Sequence, residues 1–286
     1  HSEDILNIHR AYIEAGADVI QTNTYAANAY KLQRYGLEDQ VKEINRAAVK
    51  IAREAAGHDI FVLGTIGGNR GIRPQTVPLE DIITSVREQL FVLLEEDVDG
   101  ILFETYYDLE ELETVLKIAR KETDLPIITH VTLQEIGILQ DRTPLNEAFE
   151  RLESLGADVV GLNCRLGPHH MLKSLEQVNI PKKAYLSAYP NAGFPLFKDG
   201  KIQFEKNAEY FRDTAQAFRK QGVRLIGGCC GTTPAHIKAL ADELKGAPVV
   251  VQKEVKVVVK EPVVVKPKKP VRTEPPLQTI VKQRPS

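Results

Sequence analysis

Leu225-Ile226-Gly227-Gly228-Cys229-Cys230-Gly231-Thr232-Thr233-Pro234 marks the point where an apolar run stops and a helix begins. Thr233 is a favourable N-cap, and Pro234 suits the first helical position, where no N–H is needed and its fixed φ matches the helix. Two thiols therefore stand at a strand-to-helix junction. The one other cysteine, Cys164, ends a second apolar run, Val159-Val160-Gly161-Leu162-Asn163-Cys164. Whether these sulfurs meet depends on the fold that the rest of the chain builds.

Outward from that stretch the chain alternates between two periodicities. Ser2-Glu3-Asp4 starts a helix with Ile5, Ile8, Tyr12 and Ile13 on one stripe, closed by Gly16. Short apolar runs predict strands at 18–24, 60–68, 100–107, 126–133, 158–164, 184–188 and 224–230. Helical patterns lie between them. One carries Ile44, Ala48, Ile51 and Ala55, and another Leu112, Val115, Leu116 and Ala119. Others span 79–97, 145–155, 168–178, 208–221 and 234–244. Nearly continuous apolar strands are parallel strands buried on both faces, and strand–helix alternation implies right-handed crossovers.

The runs number seven, and the chain opens on a helix. A closed (β/α)8 barrel takes eight strands and about 250 residues. Polar residues punctuate nearly every strand's C-terminal end: Thr22 to Thr24, Asn69, Glu104, His130, Asn163, Asn191 and the cysteines. An open doubly wound sheet would concentrate them at one switch point. The expected fold is α/β: a (β/α)8 TIM barrel lacking its first strand in this chain, with an extended C-terminal linker.

The 286 residues carry a net charge of −2, which hides an asymmetry. From Ala247 onward nine Lys/Arg face three Glu, a local +6, so residues 1–246 carry −8. That balance does not describe a nucleic-acid binder. The tail is dominated by Val, Lys and Pro and has no aromatic residue, as expected of a linker; a nucleic-acid arm would want stacking groups. Residues 1–246 are thus the expected barrel, and 247–286 the linker to a further C-terminal domain. No apolar run approaches the ~20 residues of a membrane helix, and the N-terminus is not a signal peptide. Three cysteines make no disulfide framework and fit reduced thiols in the cytoplasm.

With the missing strand counted, Cys164 closes strand six and Cys229/Cys230 strand eight. Both ends open on the face where barrel active sites form. Adjacent strand residues point to opposite sides, so Cys229 and Cys230 converge only if the pleat breaks; Gly227, Gly228 and Gly231 supply that freedom. Three thiolates suit Zn2+ and leave a fourth tetrahedral position open. Such a centre is a poor Lewis acid toward water but holds an entering thiol as thiolate near neutral pH. That points to alkyl transfer to sulfur. Hydrolytic zinc sites use His and carboxylate ligands, and the adjacent His169-His170 pair lacks helical ligand spacing.

Gly16-Ala-Asp-Val-Ile-Gln-Thr-Asn-Thr-Tyr25, Val160-Gly-Leu-Asn-Cys164 and Ile226-Gly-Gly-Cys-Cys-Gly-Thr-Thr-Pro234 closely resemble the homocysteine S-methyltransferase family, in order over about residues 1–246. That family includes betaine–homocysteine methyltransferase and the homocysteine module of cobalamin-dependent methionine synthase. The resemblance implies a barrel that binds zinc through the catalytic Cys164, Cys229 and Cys230. Homocysteine sulfur would be the fourth ligand and methionine the product. Glu104, in Phe103-Glu104-Thr105, matches the family's strand-end glutamate that holds the homocysteine amino group. Thr22, Asn23 and Thr24 would lie on a substrate-lining strand end. Asn191, in Tyr189-Pro-Asn-Ala-Gly193, would approach the zinc when homocysteine is absent. Plainer roles compete: Glu104 as a buried hydrogen-bonded carboxylate, the threonines as helix caps, and Asn191 with Gly193 as a turn.

Family members begin with a strand bearing Asp-Gly-Ala-Met-Gly-Thr or a close variant, whose acidic residue helps bind the amino acid; this chain starts after it. The tail resembles the connector to a methylenetetrahydrofolate reductase domain in bacterial fusions. Methyltetrahydrofolate, S-methylmethionine, S-adenosylmethionine and betaine are the donors to test. Two other readings stay open. One is a phosphate-binding aldolase- or isomerase-like barrel with incidental cysteines, its phosphate held by Gly227/Gly228 with Asn191/Gly193. It wants a strand-end lysine, whereas Lys182 and Lys183 precede their strand. The other is a non-catalytic zinc-binding module.

Overall fold

Seven parallel strands form one sheet in the computed structural model, which describes residues 1–71, 78–193, 196–198, 201–203, 207–253 and 255. In chain order the elements are α1 (Ser2–Glu14), β1 (Val19–Gln21), α2 (Ala29–Leu32), α3 (Val41–Ala56), β2 (Phe61–Gly67), α4 (Leu79–Glu95), β3 (Gly100–Tyr106), α5 (Leu109–Glu122) and β4 (Ile127–Val131). Then come α6 (Leu145–Ser154), β5 (Val159–Asn163), α7 (Pro168–Leu175), β6 (Tyr185–Tyr189), β7 (Leu196–Lys198), β8 (Lys201–Gln203), α8 (Ala208–Lys220), β9 (Val223–Ile226) and α9 (Pro234–Leu244). Among the described residues, no helix is long and apolar enough to cross a membrane.

Local chemistry sets the helix starts. Asp108 caps α5 by accepting the Glu111 N–H at 2.9 Å, and Asn28 caps α2 by accepting that of Lys31 at 3.0 Å. At α9 the capping box uses an unusual partner: the buried His236 ring takes the place of the usual Glu or Gln, its Nδ1 accepting the Thr233 N–H at 3.1 Å.

The strand order is β1-β2-β3-β4-β5-β6-β9, every pairing parallel. The order never reverses, so the sheet is not doubly wound. It is also curled. Val19 on β1, Leu63, Leu102, Ile128, Val159 and Leu225 on β9 pack into one cluster, which a flat sheet would not allow. The other faces of the strands carry the main core, packed against α4 to α7. A small antiparallel ribbon, β7 with β8, was not expected from the sequence.

The curl stops short of closure. Among the described residues β1 and β9 are not paired, and a cavity of about 1000 Å³ separates them, lined by His9, Tyr12, Ile20, Gln21, Leu225 and Gly228 among others. Above it α1 meets the segment before α9, where the Tyr12 hydroxyl donates to the Thr232 carbonyl at 3.0 Å. His9 lines the gap at 8% exposure, and its Nε2 has no partner among the described residues.

Past α9 the chain is irregular but still attached. Arg219 Nη1 donates to the Pro248 carbonyl at 2.6 Å, and Lys253 Nζ to the Leu175 carbonyl at 2.5 Å and to Gln221 Oε1 at 3.1 Å. Most of the expected linker, residues 256–286, lies outside the described residues.

Candidate metal centre and substrate pocket

The three sulfurs meet at the C-terminal ends of β5 and β9, on either side of β6. Cys164 follows β5 with φ 61°, a left-handed conformation uncommon for a side chain bearing a Cβ. It is held there by its N–H, which donates to the Tyr189 carbonyl on β6 at 3.1 Å. Such strain is tolerated where the surroundings over-determine it. Cys229 and Cys230 lie beyond β9, which ends at Ile226 rather than running to Cys230. Both sit in a turn, so strand alternation does not separate them. The Cys229 N–H donates to the Pro190 carbonyl at 2.8 Å, and the Cys230 N–H to Asn191 Oδ1 at 3.1 Å.

The glycines play different parts from the expected one. Only Gly231 of the three takes a positive φ, 79°. Gly227 and Gly228 matter for space: a Cβ would sit 3.2 Å from the Tyr189 ring at Gly227 and overlap the Thr232 side chain at Gly228.

All three Sγ atoms lie within 4.8 Å of one another, and Cys164 and Cys230 are 3.6 Å apart. Cys229 and Cys164 are half-buried while Cys230 is exposed, so the cluster faces solvent on one side. Cys164 and Cys230 are within hydrogen-bonding reach, and either thiol can donate. The bond to Cys164, then that to Cys230 and burial, push the Cys229 thiol far up, while bonds received from Cys164 and Cys229 pull Cys230 well down. The contact with Cys229 lowers the Cys164 thiol, but the contact with Cys230 and burial leave it above its usual value. Three thiolates held this close repel one another, which limits how many can ionise together. A soft divalent cation removes that limit, and a set of thiols with no His or carboxylate fits zinc.

Glu104 stands at the end of β3, paired in register with Gly67 of β2. Burial pushes its carboxyl up to about 7, helped by the Cys164 charge and opposed by a hydrogen bond from Gln21 and by the Lys31 ammonium. Next to it, Thr105 is at φ 61°. The buried Asn163 holds it from β5: Oδ1 accepts the Thr105 N–H at 2.8 Å, and Nδ2 donates to Thr105 Oγ1 at 2.7 Å and lies 3.8 Å from Cys229 Sγ.

Thr22 and Thr24 are buried, at 4% and 1% exposure, and turn away from solvent. Their hydroxyls share a 2.6 Å hydrogen bond, Thr24 donates to the Thr65 carbonyl at 2.7 Å, and Thr22 accepts the Thr65 N–H at 3.0 Å. They staple the loop after β1 to β2 and do not cap a helix. Asn23 is exposed and borders the gap between β1 and β9. Asn191 is buried, with its oxygen engaged by the Cys230 N–H.

Tyr25 and Lys31 escaped the sequence reading. Tyr25 lies over Gly67, where a Cβ would overlap its ring. Burial, then the Glu104 charge, push its hydroxyl up to about 12, against a hydrogen bond with Thr105. Lys31 Nζ lies 4.1 Å from the Tyr25 ring centroid and donates to the Gly67 carbonyl at 3.2 Å. Nothing in strand or helix periodicity signals either residue. The nearest cue is that Tyr25 ends the first resembling motif.

A family model described as homocysteine S-methyltransferase matches residues 1–244. The methionine synthase of Mycobacterium leprae is 30% identical over 254 residues, 83% of this chain and 21% of that protein. The S-methylmethionine–homocysteine S-methyltransferase of Pongo abelii is 32% identical over 263 residues, 85% of this chain and 70% of that protein. The metallated form of the homocysteine methyltransferase MmuM from Escherichia coli superposes with a TM-score of 0.71 at 25% identity, covering 84% of each chain. The chain spans about a fifth of the methionine synthases it matches. With nearly the whole described structure inside that family model, the chain belongs to the homocysteine S-methyltransferase family.

Proposed function

We propose that this chain transfers a methyl group to the thiol of L-homocysteine, forming methionine, at a zinc centre held by Cys164, Cys229 and Cys230. The observation that carries this reading is the convergence of three sulfurs within 4.8 Å on the mouth that also presents Glu104. Zinc held by three thiolates supplies a soft centre at which an incoming thiol stays ionised near neutral pH. The chain's own residues do the rest. Glu104 ionises on meeting the substrate ammonium and holds it, which fixes where the sulfur lies. Asn163 orients Thr105 beside Glu104, and Asn191 fixes the backbone of Cys230. In the transfer the homocysteine thiolate forms the new S–C bond while the donor–methyl bond breaks, its electron pair leaving with the donor.

The gap between β1 and β9 is read as the position of one more parallel strand, which would complete an eight-stranded barrel. The unpartnered His9 Nε2 beside the gap supports this. Residues 1–246 are read as the catalytic unit. The phosphate-site alternative is weakened by the hydrogen bonding of its loop. The N–H groups of Gly227, Cys229, Cys230 and Thr232 already donate to Ala188, Pro190, Asn191 and Cys229, so little is left to cradle an anion.

The test is zinc quantification together with methionine formation from homocysteine, with S-methylmethionine, S-adenosylmethionine, betaine and methyltetrahydrofolate as donors. It is run on this chain and on one extended by an N-terminal strand. One zinc per chain and methionine from at least one donor are expected, both lost in Cys230→Ser. Full zinc and full turnover in Cys230→Ser would sink the mechanism. Stoichiometric zinc with no methionine from any donor would favour a non-catalytic zinc module.

A further inference from the structure

Asn163 ends β5, next to Cys164 in the chain, and is 1% exposed. A group that can only donate fixes which way its amide points. The Thr105 N–H gives its hydrogen to Oδ1 at 2.8 Å, so the amide cannot be turned end for end. Nδ2 is left with two hydrogens for two acceptors, Thr105 Oγ1 at 2.7 Å and Cys229 Sγ at 3.8 Å. The second contact is long because sulfur is larger than oxygen. The backbone is held too: Thr132 Oγ1, just past β4, donates to the Asn163 carbonyl at 3.1 Å.

Cys229 is the sulfur that needs such a donor. It packs against the apolar cluster of Leu63, Leu102, Ile128 and Tyr189, whereas Cys230 is exposed. A thiolate on an apolar surface loses the water that would otherwise solvate it. Among the described residues, Asn163 is the one side chain with an N–H in reach of any of the three sulfurs.

We propose that Asn163 is a positioning residue of the metal centre. Its amide N–H hydrogen-bonds the Cys229 thiolate, spreads that ligand's charge and holds the sulfur in the set. Partners outside the ligand shell orient and tune metal ligands in this way. The same amide also binds Thr105, so one side chain fixes both the end of β3 and the ligand that follows β9. This rests on the zinc reading above.

The test uses the full chain loaded with Co2+, whose sulfur-to-metal charge-transfer band reports the energy of the thiolate lone pairs. Competition with a chelator for Zn2+ accompanies it. Asn163→Asp keeps an oxygen for the Thr105 N–H but loses both N–H donors. Asn163→Leu loses every polar atom without adding charge. In both, the band should move to longer wavelength, because a thiolate without its donor gives up an electron more readily. Zn2+ should be held roughly 10–100-fold more weakly. Thr105→Ala removes the amide's other partner and leaves the sulfur its own, so the band should stay in place. An unshifted band in both Asn163 variants, or an equal shift in Thr105→Ala, would overturn the proposal. A wild type that takes up no Co2+ would sink the zinc reading and this proposal together. The expected shifts with no methionine from any donor would sink the methyl-transfer reading and leave this one standing.

Discussion

Cys164 and Cys230 are 66 positions apart in the chain, and their sulfurs are 3.6 Å apart. The sheet makes that contact: β5 and β9 flank β6, and residues 189–191 at and just beyond that middle strand's end tie down all three cysteines, through the Tyr189 and Pro190 carbonyls and the Asn191 side chain. The sulfurs are thus placed by hydrogen bonds from the cysteines' own backbone N–H groups rather than by each other.

Zinc removal should therefore loosen the mouth more than it unfolds the chain. With the cation gone, the cysteines stay in place, because their backbone bonds persist. We expect a strong chelator to lower the melting temperature by a few degrees while far-UV circular dichroism at 25 °C is unchanged. Global unfolding on chelation, as in a zinc finger, would show instead that the metal builds the fold.

Asn163 is the next test, because it serves both sides of the mouth. Its amide makes two hydrogen bonds to Thr105, which is held at φ 61°. Asn163→Ala leaves the Thr105 N–H unsatisfied and should cost about 1–3 kcal/mol, read from urea unfolding. Thr105→Gly added to that variant should recover part of the loss, since glycine accepts a positive φ without strain. No recovery in the double variant would mean that the cost lies in packing alone.

Periodicity in the chain is enough to place the parallel strands and most of their helices, because a strand buried on both faces and a one-sided helix leave different apolar patterns. The strands' C-terminal ends were less legible. The readings ran to Thr24, Cys164 and Cys230, whereas β1, β5 and β9 stop at Gln21, Asn163 and Ile226. A polar or cysteine residue after an apolar run looks the same in the last pleat or in the turn beyond it. That distinction decides the chemistry, since Cys229 and Cys230 point together only in a turn. The ribbon of β7 and β8 was missed although Asp199-Gly200 between two short apolar–basic runs is a hairpin signal. Tyr25 and Lys31 were illegible for another reason: they act from the turn after β1 and from the short α2, whose position comes from Asn45, Gln89 and Glu111, residues distant in sequence.

Acid should destabilise this protein through His130. Its ring is fully buried, with Nε2 2.5 Å from Ser187 Oγ and Nδ1 without a partner among the described residues. Burial pulls it down from 6.5 to about 3. Between those values the unfolded chain binds a proton that the folded chain refuses. The contribution is therefore present above pH 6.5 and lost as pH falls toward 3. From pH 7 to pH 5 this one group should remove about 2 kcal/mol. Urea unfolding of wild type and His130→Gln at both pH values checks it: the variant starts less stable but should lose about 2 kcal/mol less on acidification. Parallel losses would assign the acid sensitivity to other groups, such as His9 or His236.

Gly161 is what allows that histidine its partner. His130 on β4 and Ser187 on β6 are both paired in register with Gly161 on β5, so their hydrogen bond passes over the middle strand. A Cβ on residue 161 would overlap both Ser187 Oγ and the Ser187 carbonyl. Gly161→Ala should then break the bridge and push β5 and β6 apart, at a cost of roughly 1–3 kcal/mol or more for overpacking a core without room to relax. Ser187→Ala removes the hydroxyl but leaves the carbonyl, so the double variant should regain only part of the loss. A thermodynamic cycle of the two single variants and the double variant by urea unfolding separates the contributions. Complete recovery in the double variant would show that the side-chain contact alone sets the need for glycine. Partial recovery is the expected result, and it would mean that the close approach of two neighbouring backbones requires glycine here, whatever residue 187 is.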